Sequence, residues 1–230
     1  MKKTLQFAFI QTLPVFFGYI FLGIAFGLLL QKAGFNALWA LFISTFVYAG
    51  SMQFVLISFL SSGISLISVA LITLSVNSRH IFYGLSFIEK FKSMGKAYPY
   101  MIFSLTDETY SLLCGTTIPA HLDVKKVRFS IALLDQVYWI LGSVLGALLG
   151  ELILFNTTGI DFAMTALFVV IFVEQWLAAK SHFAALLGLS CGVLSLIVFG
   201  PSNFILPALI VTVSVLTFHK NAALTKEELS

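Results

Sequence analysis

The chain has 230 residues, of which 59% are hydrophobic and 10% charged, with a net charge of +3 and a mean hydropathy of +1.01. A soluble domain carries about 25% charged residues, so this composition excludes a water-soluble globule and predicts that lipid surrounds the chain. The basic residues stand mostly between apolar runs, which excludes a nucleic-acid patch and predicts loops at a membrane surface.

Apolar runs long enough to cross a bilayer follow one another along the chain. A helix needs about 20 apolar residues to cross about 30 Å of hydrocarbon. We therefore predict an all-α fold: a single transmembrane domain over residues 1–230, a polytopic helix bundle of about seven or eight spans, some of them interrupted. The candidate spans are 12–30, 36–60, 64–88, 98–118, 130–153, 161–178, 183–199 and 202–217.

The second run contains the segment Tyr48-Ala49-Gly50-Ser51-Met52-Gln53-Phe54. Small residues flanked by polar ones can unwind a helix and expose backbone groups to a ligand. Irregular backbone at membrane depth occurs only where protein or water satisfies its polar groups. Gly50, Ser51 and Gln53 are therefore candidate substrate-binding residues. The alternative is an ordinary packed helix in which Gln53 bonds to a neighbour.

The third run carries polar residues from Ser75 to Tyr83. Arg79 keeps its proton and needs an anion, either a substrate carboxylate or an internal Asp or Glu. Asn77, Arg79 and Tyr83 are candidate substrate-binding residues, and His80, which titrates near neutral pH, is a candidate for proton coupling. The alternatives are an Arg79 that reaches water from a span end and a His80 that only packs.

The fourth run is broken by the adjacent carboxylates Asp107 and Glu108. One of them can pair with Arg79, and the other can bind a proton or a substrate ammonium, so both are candidates for proton coupling. The alternative is that 98–118 is a surface or re-entrant helix with a solvated acidic face. Asp135 and Glu174 lie near the ends of their own runs, where an interface position explains a charge.

The two halves of the chain are faintly alike. Gly23 and Gly27 stand 119 residues before Gly142 and Gly146, and such small-xxx-small spacings favour close helix packing. Interrupted helices in two halves related by inversion are typical of a transporter site near the midplane, so an inverted repeat is one arrangement that this pattern suggests. The candidate halves are 12–118 and 130–217.

The sequence shows neither the ligand spacing of a metal site nor a nucleophile set beside a base. Cys114 and Cys191 lie in apolar stretches without a spaced Cys or His partner, so we predict no metal, no disulfide framework and no cofactor. No HExxH string occurs and no motif fixes a nucleophile beside a base, so we predict that the chain is not an enzyme.

Several motifs together resemble the AzlC family, the large subunit of bacterial branched-chain amino acid exporters of the LIV-E type. Their order and spacing agree from about residue 12 to 110, while the second half matches only through the Gly-rich span 141–150. Family members often have Asp where this chain has Asn77. The matching elements are Leu13-Pro14, Ala25-Phe26-Gly27, the 48–54 segment, Asn77-Ser78-Arg79-His80 with Tyr83-Gly84, and Leu105-Thr106-Asp107-Glu108.

The resemblance implies a secondary transporter that exports Leu, Ile, Val or similar amino acids, driven by a proton gradient. It also implies a multi-pass location in a bacterial inner or plasma membrane and a small hydrophobic partner subunit of the AzlD type, with about four spans. An intramembrane enzyme and a non-transporting scaffold subunit are the competing functions. The preferred amino acid, the coupling ion and the subunit stoichiometry are left open.

Overall fold

The computed structural model describes residues 2–77, 79–152, 162–178, 181–200, 204 and 207–216. These residues form helices and no strand, which confirms the all-α prediction. The helices are α1 (Lys2–Lys32), α2 (Ala37–Phe46), α3 (Gly50–Ser62), α4 (Leu66–Asn77), α5 (Arg79–Lys92), α6 (Tyr98–Phe103), α7 (Asp107–Gly115), α8 (Val124–Leu152), α9 (Phe162–Ala178), α10 (Phe183–Phe199) and α11 (Pro207–Leu216).

Two of the described helices, α1 and α8, are long and apolar enough to cross a membrane. They have 31 and 29 residues, so at about 1.5 Å per residue each exceeds the hydrocarbon thickness. The predicted spans 36–60 and 98–118 each form two shorter helices with an interruption between them. The total number of crossings stays a prediction.

The chain divides into two compact units. Unit 1 comprises residues 1–63 and 76–166, and unit 2 comprises 64–75 and 167–230. Inside unit 2, a Cβ at Gly188 of α10 would lie 3.9 Å from Cγ2 of Thr212 in α11, an ordinary packing distance. Unit 1 contains every site residue predicted from the sequence.

The spine of unit 1 is the close packing of α1 against α8. A Cβ at Gly23 would lie 2.9 Å from the Ser143 backbone nitrogen, and one at Gly146 would fall on the Ile24 carbonyl. Only glycine allows this approach, as the small-xxx-small spacing predicted. Because residue numbers rise together along the contact, the two helices run parallel. In an inverted repeat that aligns Gly23 and Gly27 with Gly142 and Gly146, α1 and α8 would run antiparallel. An inverted repeat with this alignment is therefore wrong.

Helix α8 begins six residues before the predicted span because a polar residue caps it. Asp123 Oδ1 accepts hydrogen bonds from the backbone N–H groups of Lys125 (3.0 Å) and Lys126 (3.2 Å). Such a cap satisfies amides that have no acceptor inside the helix. Mainly through the Lys126 N–H, these bonds hold the pKa of the exposed Asp123 carboxyl below its usual value.

An apolar core lies beside the start of α8. The rings of Phe87 and Phe91 of α5 lie 5.1 Å apart at a tilt of 33°, and Phe87 meets Tyr110 of α7 edge-on at 5.6 Å. This core ties α5 and α7 to the first turns of α8 and supports the polar region above it. Its buried members are Ala8, Phe87, Phe91, Met101, Leu105, Leu113, Val127, Ile131 and Ala132.

Candidate functional site: a buried polar cluster between two interrupted helices

The first interruption separates α2 from α3. Helix α2 ends at Phe46 and α3 begins at Gly50, in the segment where the sequence predicted unwinding. Tyr48 between them has φ of 40°, in the left-handed region that non-glycine residues rarely adopt. Such strain persists only where the surroundings fix it, and Tyr48 is buried.

The side-chain amides of two glutamines form hydrogen bonds with backbone N–H and C=O groups at this interruption. Gln53 Oε1 accepts the Ala49 N–H at 3.2 Å, and its Nε2 donates to Ser44 Oγ at 3.3 Å. Gln136 of α8 donates from Nε2 to the Thr45 carbonyl at 3.1 Å. The chain thus supplies the partners that irregular backbone needs away from water. Gln53, predicted to bind substrate, here holds the interruption in place.

The second interruption separates α6 from α7. Helix α6 ends at Phe103, and the Thr106 side chain caps α7 by accepting the Thr109 N–H at 3.2 Å. Asp107 and Glu108 occupy the first turn of α7, where the positive end of the helix dipole favours carboxylates. Both side chains are partly buried. The helix dipole therefore offsets some of the penalty for placing two carboxylates here.

A continuous row of oxygen atoms crosses from α7 to α1 and on to α8. The Tyr19 hydroxyl donates to Glu108 Oε2 at 2.7 Å and lies 2.7 Å from Thr106 Oγ1. Thr106 Oγ1 lies 3.1 Å from Thr109 Oγ1, which donates to Asp135 Oδ2 at 2.8 Å. Three hydroxyls thus connect two carboxylates, and we call this set the hydroxyl chain.

Asp135 is the residue that the sequence analysis missed. It is 0% exposed, and within the described part of the chain its Oδ1 has no hydrogen-bond partner. The predicted span began at 130 and made Asp135 an interface residue, whereas α8 starts at Val124 and puts it about three turns into the helix. The neighbouring polar Gln136 and amphipathic Trp139 were the available signal, since they mark one face of α8.

Both interruptions meet α8 on that face. The α3 end contributes Gln53, whose Oε1 accepts the Trp139 indole N–H at 2.8 Å, and Gly50, where a Cβ would lie 3.5 Å from the same ring. The α7 end contributes Thr109, which donates a hydrogen bond to Asp135. Asp135 lies one helical turn before Trp139 on α8. Tyr19 packs edge-on against Trp139 at 5.3 Å. The N-termini of α3 and α7 therefore approach a shared buried surface.

The other predicted residues are only partly described. Asn77 ends α4, and its carbonyl lies 3.2 Å from His80 Nδ1; because a carbonyl only accepts, this bond puts the His80 proton on Nδ1. The side chains of Arg79, Tyr83 and Glu174 lie outside the described residues, so the pairing of Arg79 with a carboxylate stays a prediction.

Two cavities in unit 1 lie away from this cluster. The first cavity, of about 330 Å³, is lined by residues from 29–33 at the end of α1 and from 54–61 in α3. The second, of about 650 Å³, lies near the N-termini of α1 and α8, beside Lys2, Lys125 and Lys126. Among the described residues, no group of three His, Cys, Asp or Glu side chains is arranged to hold a metal ion.

Known proteins share this region of the chain. A family model described as AzlC protein matches residues 14–153, which include both interruptions and Asp135. AzlC of Bacillus subtilis (strain 168), named a branched-chain amino acid transport protein, is 43% identical over 210 residues, covering 91% of this chain and 83% of its own length.

Similar proteins occur in other organisms. An uncharacterized membrane protein of Haemophilus influenzae is 41% identical over 221 residues, covering 96% of this chain and 91% of its own. The inner membrane protein YgaZ of Escherichia coli (strain K12) is 29% identical over 194 residues, with coverages of 80% and 78%. No solved structure matches the chain significantly.

Proposed function

Since the chain belongs to the AzlC family, we propose that it is a multi-pass secondary transporter that exports branched-chain or similar hydrophobic amino acids. It acts in a bacterial inner or plasma membrane, driven by a proton gradient, as the large subunit beside a small hydrophobic subunit of the AzlD type. The names of the Bacillus subtilis and Escherichia coli relatives, a transport protein and an inner membrane protein, support this.

One observation carries the proposal: two interrupted helices bring their N-termini to one buried polar face of α8. Interrupted helices with exposed ends are how transporters bind polar substrate groups inside a bilayer. A helix N-terminus carries partial positive charge and unpaired N–H groups, which suit a substrate carboxylate. We assign that role to the α3 terminus at Gly50 and Ser51, with Arg79 as a second partner.

The substrate ammonium needs an acceptor at the same place. Glu108 is suited to it because its carboxylate is partly exposed, while Tyr19 fixes Oε2 by a 2.7 Å hydrogen bond. Asp135, fully buried behind the hydroxyls, is too enclosed for direct contact. The sequence left open which of Asp107 and Glu108 binds the substrate ammonium, and we assign that role to Glu108.

The test is counterflow of labelled leucine in proteoliposomes that contain this chain and its small partner subunit. Glu108→Gln removes the charge and keeps the shape, so we expect leucine counterflow to fall by about 10–100-fold, the range for losing a hydrogen bond to a charged group. Glu89→Gln is the matched control, because Glu89 is exposed and pairs with Lys92 one turn along α5.

Two results would count against the proposal. Equal counterflow in the Glu108→Gln and wild-type proteins would remove Glu108 from the site. No counterflow from the folded wild-type complex, with leucine, isoleucine or valine, would remove transport itself and favour the scaffold function.

A further inference from the structure

Counting hydrogens along the hydroxyl chain shows that it is one proton short. Four contacts join Glu108, Tyr19, Thr106, Thr109 and Asp135 in sequence, and each needs one hydrogen between its two oxygens. The three hydroxyls bring three hydrogens, since each has a single O–H. Ionised carboxylates only accept. With both carboxylates ionised, one of the four contacts is therefore left without a hydrogen.

One added proton completes the row. If it resides on Glu108, then Glu108 donates to Tyr19, Tyr19 to Thr106, Thr106 to Thr109, and Thr109 to Asp135. If it resides on Asp135, every donation is reversed and Tyr19 donates to Glu108. The two arrangements contain the same atoms and four hydrogen bonds each. They interconvert when each hydrogen moves to the next oxygen, which carries one proton from one carboxyl to the other.

We propose that Glu108 and Asp135 share a single proton, which passes between them through the hydroxyls of Tyr19, Thr106 and Thr109. Burial raises the free energy of a second negative charge in this region, so the state with one proton on the two carboxylates is the more stable one. The Asp135 carboxyl is enclosed, with its Oδ1 unpartnered among the described residues, while Glu108 reaches a partly exposed surface. Protons thus enter and leave at the Glu108 end and are stored at the Asp135 end.

The surroundings of Asp135 fit this role. Glu108 and four tyrosines are among the described groups that interact with it electrostatically. The oxygen positions are also fixed, because Thr106 Oγ1 caps α7 through the Thr109 N–H. The interacting tyrosines are Tyr19 on α1, Tyr48 at the first interruption, Tyr100 on α6 and Tyr138 on α8.

Sharing of this kind would couple export to a proton gradient; this step rests on the proposed function. A substrate ammonium at Glu108 and a proton at Glu108 exclude each other, since both use the same carboxylate. When the substrate leaves on the outer side, a proton from that side takes its place on Glu108 and passes along the hydroxyl chain to Asp135. On the inner side the proton returns to Glu108 and leaves to water, and the ionised Glu108 then receives the next substrate ammonium. One proton therefore moves inward for each amino acid exported, and the shared proton belongs to the substrate-free protein.

Tyr19→Phe tests the relay, because it keeps the ring packed on Trp139 and removes the central hydroxyl. Two assays in the same proteoliposomes separate the steps: leucine counterflow, which needs no net proton movement, and leucine accumulation driven by an imposed pH gradient. We expect gradient-driven accumulation to fall about a hundredfold, the scale of a lost proton-transfer group, and counterflow to fall less, by about tenfold, because the Tyr19 hydroxyl also fixes Glu108 Oε2. Tyr138→Phe, which removes a hydroxyl bonded to Thr12, is the control and should leave both unchanged.

A second variant, Thr109→Val, breaks the chain next to Asp135 and far from the ammonium. It should leave counterflow within about twofold of wild type and lower gradient-driven accumulation about a hundredfold. Gradient-driven accumulation at the wild-type level in both variants would overturn the relay, and so would an equal loss of counterflow and accumulation in folded Thr109→Val, which would mark a purely structural role. Wild-type protein without counterflow would instead refute the proposed function.

Discussion

Replacing Gly27 by alanine should force α1 away from α8 and destabilise the protein by about 1–3 kcal/mol, the usual range for overpacking a tight interface. A Cβ at this position would fall on the Ser143 carbonyl and lie 2.5 Å from the Ala147 nitrogen. These are backbone atoms in the middle of a 29-residue helix, so no rotamer change can make room. The measurement is thermal unfolding of the purified protein in detergent.

Gly18→Ala supplies the matched control on the same helix. A Cβ at Gly18 meets nothing within 4 Å, so the substitution adds only the helix propensity of alanine, about 0.8–1.0 kcal/mol in its favour. The Gly18→Ala protein should unfold at or above the wild-type temperature. Unfolding of Gly27→Ala at or above the temperature of Gly18→Ala would contradict the direct backbone contact between α1 and α8.

Gln53→Leu should destabilise the first interruption by about 1.5–4.5 kcal/mol, because it leaves one buried N–H group without an acceptor, at about 1–3 kcal/mol, and removes the acceptor of a part-buried one, at about 0.5–1.5 kcal/mol. Those donors are the Trp139 indole and the Ala49 amide, both now bonded to Gln53 Oε1. Water cannot replace the lost acceptor, since Gln53 is 0% exposed. Loss of the Trp139 position should also reduce leucine counterflow.

The same substitution at an exposed position separates this effect from a change in polarity. Gln6 lies on the exposed side of α1, so Gln6→Leu should leave the unfolding temperature and leucine counterflow close to wild type. Unfolding temperatures are compared by tryptophan fluorescence in detergent. Equal temperatures for the two leucine variants would show that Gln53 does not hold the interruption.

The parts of this fold that the sequence predicts are those that depend on local chemistry. The glycine spacing in α1 and α8 predicted close packing because a missing Cβ acts wherever two helices touch. The small and polar residues around Gly50 predicted the interruption because they destabilise a helix locally. In both cases the residue type itself carries the physical cause.

The hydroxyl chain could not be predicted in the same way. Tyr19 and Thr106 are separated by 87 residues, and Thr109 and Asp135 by 26. A tyrosine or threonine in an apolar run fits lipid-facing, packing and polar positions equally well, so only the packing of α1, α7 and α8 brings these oxygens together. Asp135 was misread for a related reason: apolar length underestimates a helix whose first turns carry Lys125, Lys126 and Arg128.

The arrangement explains why a hydrophobic chain keeps carboxylates inside it. A charge at the centre of a bilayer costs about 2.5–3.5 kcal/mol on insertion scales, so an enclosed Asp135 requires compensation or use. The threonine hydroxyl compensates one of its oxygens, and the other has no hydrogen-bond partner among the described residues. The use we propose for it is to hold the shared proton.

The most direct measurement of the central claim, that Glu108 receives the substrate ammonium, is competition for labelled leucine binding to the purified two-subunit complex. The competitors are unlabelled leucine and 4-methylpentanoate, which is leucine without its ammonium group. We predict that wild type and Glu89→Gln prefer leucine by at least about tenfold and that Glu108→Gln loses most of this preference. An undiminished preference in Glu108→Gln would contradict the account.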